Sequence, residues 1–304
     1  MKNYLAIDIG GTNIKYGLVS DQGMISNKGK VSSESNNLDE FLAKLYPICE
    51  QFKGQYNKIA ISVPGKVDIK AQKIYFGGSL PFIHNVSMQS ILGDRYSVPV
   101  YVENDGKCAV LGEQWMGSLQ NEKNCAAIVL GTGIGGGIIA NGQLLHGAHF
   151  QAGEFSFVLS NPLKKKFDYI FGQQFSAVKM ISDINCKLNN PVKNDGKAAF
   201  EAIKSGNSIA NQIFEQYCSG IAALILNIQV IVDLNRIAIG GGISAQPAVV
   251  KEINHQYDLL LKNVTPLDDI LTRPQIVNAE LKNDANLYGA VYAAKKFQKQ
   301  NTTA

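Results

Sequence analysis

Asp8-Ile9-Gly10-Gly11-Thr12 sets a carboxylate just ahead of a turn that contains two glycines. Main-chain N–H groups in such a turn can approach an oxyanion closely, and the neighbouring carboxylate suits a magnesium ion. That is the chemistry of a phosphate cradle. Gly131-Thr132-Gly133 repeats the device, so one turn would hold each end of a triphosphate. Glu103-Asn104-Asp105 follows an apolar run and opens a helical pattern, a place where the helix N-terminus favours negative charge. Asp105 is the candidate general base there, and the Asn104 amide suits a pair of vicinal sugar hydroxyls. Glu154 supplies a second carboxylate for another pair.

Other readings of the same residues carry less. Gly131-x-Gly133-x-x-Gly136 formally matches a dinucleotide fingerprint with Glu154 as the ribose acid, but that motif needs a helix after the glycines. Ile138-Ile139-Ala140-Asn141-Gly142 reads instead as a strand closing in a turn. No G-x-x-x-x-G-K-[ST] and no G-x-S-x-G occurs, which leaves neither a Walker loop nor a serine nucleophile. His146 and His149 lack a cysteine nearby to complete a metal site and are expected to be structural. The Lys164–Lys166 run reads as a solvated loop.

Positioning these groups needs strands that end at the glycines. The pattern predicts strands over 4–9 and 14–19 joined by the first glycine turn, a helix over 38–52, a strand over 58–63 ending in Pro64-Gly65, a strand over 98–102 and a helix over 105–115. Further on it predicts a strand over 126–130, a return strand through 135–139, a long helix through 213–228 and a strand over 236–239 that runs into Gly240-Gly241-Gly242. A closing helix over 284–297 has Asn283 or Asp284 as N-cap. Interleaved strands and helices in both halves mean α/β architecture. The expected boundary gives an N-terminal α/β domain over 1–117 and a C-terminal α/β domain over 118–283, with the closing helix, about 284–299, packing back on the first.

The chain has 304 residues, 45% apolar and 18% charged, with a net charge of +4. That composition is globular, and the charge surplus is too small to mark a nucleic-acid or anionic-lipid partner. Five scattered cysteines fit buried thiols in a reducing compartment. The apolar stretch 221–234 is broken by Asn227, Gln229 and Asp233 and falls short of the roughly 20 residues a bilayer needs. A cytoplasmic, unanchored protein is expected.

In combination and order, these motifs resemble the ROK family of sugar kinases and repressors over essentially the whole chain. Asp8–Thr12 with Lys15 resembles the family's first phosphate motif, Val63-Pro64-Gly65 its sugar-side loop, and Glu103–Asp105 through Gly112-Glu113 its catalytic segment. Gly131–Gly137 resembles the second phosphate motif, Ala152-Gly153-Glu154-Phe155 the sugar segment, and Gly240–Gly242, with Gly241 and Gly242, the adenosine motif. Gly78-Ser79-Leu80-Pro81 resembles an Asn-Leu-Pro sugar loop with Ser79 in the Asn place. The resemblance implies the two-domain actin-like ATPase and sugar kinase fold, ribonuclease H-like, with a central cleft. It also implies ATP with Mg2+ held through water by Asp8, transfer to the C6 hydroxyl of glucose or a β-glucoside, and a homodimer. N-acetylmannosamine kinase and fructokinase are alternatives within the family.

Two departures stand out. Ser156 and Phe157 replace the family's Gly-His, and no cysteine follows up to Lys179, so no structural zinc is expected; Phe171-Gly172-Gln173-Gln174 offers only amides where the family has a further sugar-contacting Glu. A zinc-less chain of this kind resembles the bacterial β-glucoside kinases and glucokinase-like proteins. A sugar-responsive regulator is the alternative of another class; family repressors carry a helix-turn-helix segment ahead of the first phosphate motif, which here begins at residue 8.

Overall fold

In the computed structural model, which describes residues 3–161, 163–164, 166–263 and 270–302, strand β1 (Asn3–Ile9) is buried from Tyr4 to Ile9. It lies between β2 (Asn13–Ser20), antiparallel, and β4 (Lys58–Val63), parallel, so both of its faces are covered and its sequence is a near-continuous apolar run. The sheet order is β3-β2-β1-β4-β8, with β3 at Ile25–Ser32 and β8 at Val100–Asn104. Strand side chains alternate between faces. Leu5, Ile7 and Ile9 join a core with Phe41, Leu45 and Ile48 of α1 (Leu38–Gln51). Tyr4 and Ala6 join another with Cys108 of α2 (Asp105–Met116) and Leu287, Ala290, Val291 and Ala294 of the closing helix α7 (Ala285–Thr302). Asp8 therefore belongs to the α2 and α7 face. Three short strands, β5 (Lys66–Asp68), β6 (Lys73–Phe76) and β7 (Val86–Ser87), form a separate small sheet.

Helices α2 and α7 cross at main-chain distance. A Cβ on Gly112 would stand 2.2 Å from the Ala285 carbonyl oxygen, and one on Gly289 would stand 1.8 Å from that of Cys108. Only glycine fits at either place, which gives Gly112 of the sequence motif a packing task.

The second sheet has the order β11-β10-β9-β12-β13, with β9 at Cys125–Leu130, β10 at Ile134–Ala140, β11 at Gln143–Leu144, β12 at Arg236–Gly240 and β13 at Gln275–Asn278. β9 pairs antiparallel with β10 and parallel with β12, which pairs parallel with β13. Both sheets thus follow one plan, a glycine-turned hairpin extended by two parallel strands. Helices α3 (Ala177–Lys187), α4 (Gly196–Lys204), α5 (Ser208–Val232) and α6 (Pro247–Asn263) accompany the second sheet. By length and composition α5 is long and apolar enough to cross a bilayer, a longer element than the apolar stretch read from the sequence, yet half of its most apolar 18-residue window is buried within the protein. Phe214, Tyr217, Ile221, Leu224, Ile225 and Ile228 form a helical stripe, as in a core helix.

The chain divides into two compact units. The first comprises the residues up to Asn121, those from Glu280 on and the strap Leu144–Gly153, which sequence patterning leaves in the second domain; the second unit comprises Glu122–Gln143 and Glu154–Ala279. The closing helix begins at Ala285 after a single turn of 3-10 helix, Lys282–Asp284. Asp284, an expected N-cap, instead meets Lys28 Nζ at 2.8 Å.

Candidate active site

In each sheet the chemistry-bearing residues stand at the carboxyl ends of parallel strands, the edge where open α/β sheets bind ligands. Asp8 ends β1, Pro64-Gly65 follows β4, and Asn104-Asp105 ends β8 and begins α2. In the second unit Gly131–Gly133 follows β9, and Gly241-Gly242 follows β12.

The Asp8 carboxylate is buried and oriented from three sides. Oδ1 accepts from Ser62 Oγ at 2.9 Å and from Asn286 Nδ2 at 2.9 Å, while Lys15 Nζ lies 3.6 Å from Oδ2. Lys15 stands directly across the hairpin from Asp8, so the register explains the pair. Neither Ser62 nor Asn286 is marked by a sequence motif. Gly10 N donates to Asn13 O at 2.9 Å and closes the turn. A Cβ on Gly11 would approach Ser79 Oγ to 3.0 Å, so the Gly10-Gly11 turn and the Ser79 loop are neighbours. One carboxylate beside a phosphate turn is the usual protein share of a magnesium site, which completes its shell with water and phosphate oxygens; the residues present fit that ion.

Asp105 is held by its neighbours. Its Oδ1 accepts from Gly106 N at 2.8 Å and from Asn104 Nδ2 at 3.1 Å. Asn104 is the N-cap of α2: Oδ1 accepts from Lys107 N at 3.1 Å, and Nδ2 also donates to Gly65 O at 2.8 Å. The amide is thus also used within the protein, with Asn104 a brace between Gly65 and Asp105, while its Oδ1 keeps a second lone pair. Gly65 has φ +90°, and a Cβ there would lie 2.0 Å from Phe76 O, so the brace needs glycine.

A second brace joins Glu103 and Lys107 of the catalytic-segment motif to the strap that carries His146. Glu103 is buried, with Oε1 accepting from Asn104 N at 2.8 Å and Oε2 at 2.8 Å from His146 Nε2. Lys107, also buried, donates from Nζ to Phe150 O at 3.3 Å. These two contacts fix the Leu144–Gly153 strap to the segment that carries Asp105, and the strap ends one residue before Glu154. His146 thus has the structural task expected of it. Burial and the nearby charges of Glu103, Asp8 and Asp105 push the Cys108 thiol well above its ordinary range, which keeps it a neutral core thiol.

In the second unit Gly131 N donates to Gly133 O at 3.0 Å, and Ala177 N, at the start of α3, donates to Gly131 O at 3.0 Å. A Cβ on Gly131 or on Gly242 would meet nothing within 4 Å, so local packing does not demand glycine at either place. Gly241 differs: its φ is +96°, and a Cβ would lie 2.1 Å from Leu130 O. Here the third glycine cluster lies against the end of β9. The strand β10 after Gly131–Gly133 removes the dinucleotide reading, which requires a helix at that point. Where the family's zinc motif would stand, main-chain contacts close the segment: Ser160 N donates to Tyr169 O at 2.8 Å and Phe171 N to Val158 O at 2.8 Å. Among the described residues no group of three or more His, Cys, Asp or Glu side chains is placed to hold a metal ion.

Residues 4–297 match the ROK family. The chain belongs to this family. It is 30% identical over 290 residues to a β-glucoside kinase of Listeria innocua, covering 94% of this chain and 95% of that one. It is 27% identical over 311 residues to a glucokinase of Thermotoga maritima, covering 96% and 97%. Among solved structures, a ROK family protein from Streptococcus pneumoniae in complex with sucrose superposes with a TM-score of 0.87 at 30% identity, covering 98% of this chain and 99% of that one. A ROK family glucokinase from Streptomyces griseus, in complex with glucose and AMPPNP, has the same fold, with a TM-score of 0.83 at 23% identity over 97% and 99% of the two chains. The fold is the two-domain actin-like ATPase and sugar kinase fold of these ROK structures.

Proposed function

We propose that this ROK protein transfers the γ-phosphoryl group of ATP to the C6 hydroxyl of glucose or a β-glucoside, with Asp105 as the base. The protein is an ATP-dependent sugar kinase. The observation that carries the residue assignment is the placement of Asp105 at the first turn of α2, with Oδ1 pinned by Gly106 N and Asn104 Nδ2. That pins the carboxylate plane, and in this reading Oδ2 takes the hydroxyl proton. Phosphoryl transfer runs through a loose transition state, so positioning and charge neutralisation supply most of the rate and the base mainly orients its hydroxyl.

In this reading Gly10, Gly11, Thr12 and Lys15 serve one end of the triphosphate, Gly131, Thr132 and Gly133 the other, and Gly241 and Gly242 the adenosine. Asp8 would hold magnesium through water, and that ion would neutralise phosphate charge. Gly65, Ser79, Asn104, Asp105 and Glu154 serve the sugar, with Asn104 also bracing Asp105. Phe157, in the place of the family's His, is 62% exposed and has no polar group to offer a sugar edge, and on that ground we propose room for a second ring. Higher turnover on cellobiose than on glucose supports that room; activity on glucose far above that on cellobiose and N-acetylmannosamine removes it. A homodimer in the cytoplasm is the assembly and location this reading carries.

Asp105→Asn tests the base. The amide keeps the Oδ1 acceptor that Gly106 N and Asn104 Nδ2 use, so the fold and both KM values should hold while kcat falls by about 10²- to 10⁴-fold. Unchanged turnover in an ADP-release assay would remove Asp105 from the mechanism.

A further inference from the structure

The turn Gly131–Gly133 and the segment after Glu154 meet at a single side chain within the second unit. Ser156 Oγ accepts from Ile134 N at 2.8 Å and donates to Ile134 O at 3.1 Å. It therefore engages both main-chain groups of the residue at which the phosphate turn becomes β10. The site is tight: a Cβ on Gly133 would come within 2.8 Å of that oxygen, and one on Gly172 within 2.7 Å. Phe155 anchors its own position against the same strand, since a Cβ on Gly136 would lie 2.4 Å from its ring. Glu154 precedes these two residues and is joined to them by one turn of 3-10 helix, with Phe157 N donating to Glu154 O at 3.1 Å.

We propose that Ser156 is a positioning residue that couples the phosphate turn to the sugar-binding carboxylate, so that nucleotide and sugar bind with positive cooperativity. This rests on the reading that Glu154 meets the sugar and Gly131–Gly133 the phosphates. The physical basis is the double use of one hydroxyl. A serine Oγ can accept from an N–H and donate to a C=O at once, and it does so here to the hinge residue of the turn. When phosphate fixes the turn, Ile134 is fixed, and through Ser156 and the short 3-10 turn so is the carboxylate two residues upstream. The glycine that the family commonly has at this place offers no such bond. Ordering by one ligand then lowers the cost of ordering for the other, and linkage makes the effect reciprocal.

The experiment is a thermodynamic square. The Kd of glucose, and in parallel of cellobiose, is measured with and without saturating β,γ-imido ATP and magnesium, for the parent, Ser156→Ala and Ser156→Gly. The parent should bind sugar at least about 5-fold more tightly with nucleotide present, the lower end of usual coupling. Both variants should bring that ratio close to one while each ligand alone keeps its Kd within about 3-fold. Ser156→Gly, which leaves no side chain to contact Gly133 or Gly172, carries the test if Ser156→Ala does not fold. A parent ratio near one, variants that keep the parent ratio, or variants that lose binding of a single ligand together with Tm each overturn the proposal. Failure of the underlying reading looks different: Glu154→Gln would leave sugar affinity unchanged, or Gly131→Ala would leave nucleotide affinity unchanged.

Discussion

Glu113 lies in the catalytic-segment motif, yet its contacts are those of a staple. It is 1% exposed. Oε2 accepts from Ser118 N at 2.8 Å, Ser118 Oγ at 3.0 Å and Glu280 N at 3.1 Å, and Oε1 accepts from Leu281 N at 2.8 Å. The carboxylate thereby ties the end of α2 to the chain that enters α7. Glu113→Gln keeps the shape and the bond to Leu281 N, but turns an NH2 group toward the N–H groups of Ser118 and Glu280; Ser118 Oγ alone can rotate to accept from it. Two bonds to a charged acceptor are lost, each worth about 1.5–3 kcal/mol. The expected destabilisation is at least about 3 kcal/mol, and for a cooperative unit of about 150 residues each kcal/mol lowers Tm by about 2–4 °C. Differential scanning calorimetry should therefore find Tm down by about 6–12 °C or more, with kcat at 25 °C within about 3-fold of the parent. A Tm loss under about 2 °C refutes the staple, and an unchanged Tm with kcat down by more than about 100-fold makes Glu113 part of the chemistry instead.

The glycines divide the same way. Gly289→Ala drives a Cβ to 1.8 Å from Cys108 O and should cost about 3 kcal/mol or prevent folding, whereas Gly131→Ala meets nothing within 4 Å and should hold Tm within about 1 °C while raising the KM for ATP by at least about tenfold. Equal Tm losses in the two variants would contradict that division. Burial pushes the Cys49 thiol and the Tyr4 phenol each up to about 12, and also raises the thiols of Cys108 and Cys218. Unfolded thiols ionise near about 8.5 and phenols near about 10, so the folded state holds these protons more tightly; stability should be full below about pH 8.5 and fall as pH rises from there toward 12. A urea midpoint that stays flat through pH 10.5 would contradict this. At pH 8 a thiol reagent should modify exposed Cys186 in the native protein and leave Cys49, Cys108, Cys125 and Cys218 unmodified until the chain unfolds.

The hairpins were legible because β1 and β9 are short apolar runs that stop at glycine, a pattern that side-chain burial on both faces imposes. Strand β8 was legible only in part. Its apolar run suggests residues 98–102, while the strand occupies Val100–Asn104 with Glu103 and Asn104 buried at its end. Polar residues buried for a purpose break the hydrophobic pattern, so the error falls at the site itself. Strand β3, Ile25–Ser32, was hidden because it is an edge strand with five polar residues in eight. Helix α6 did carry a signal, Val249, Val250, Ile253, Tyr257 and Leu261 at helical spacing. The bracing residues Ser62 and Asn286 had none, and nothing local gave the partners of His146 and Lys107. Their partners are distant in sequence, Asn286 being 278 residues from Asp8, and no local period encodes such a contact.

Within the first unit, the placement of Asp8 and Asp105 comes down to one crossing. Asp8 lies on the face of β1 that α7 covers, and Asn286, in the first turn of α7, reaches its carboxylate. Asp105 opens α2, and α2 touches α7 backbone to backbone at Cys108 and Gly289 and at Gly112 and Ala285. Glu113 then fixes the chain that leads into α7. A helix from the end of the sequence therefore sets the position of both carboxylates from its first 105 residues. Side-chain bulk at Gly112 or Gly289 would separate α2 from α7 and move Asp105 relative to Asp8 without touching either. Productive transfer tolerates misplacement of little more than about 1 Å before rates fall by about 100-fold. This crossing, which contributes no reactive group, thus sets how Asp8 and Asp105 stand to one another.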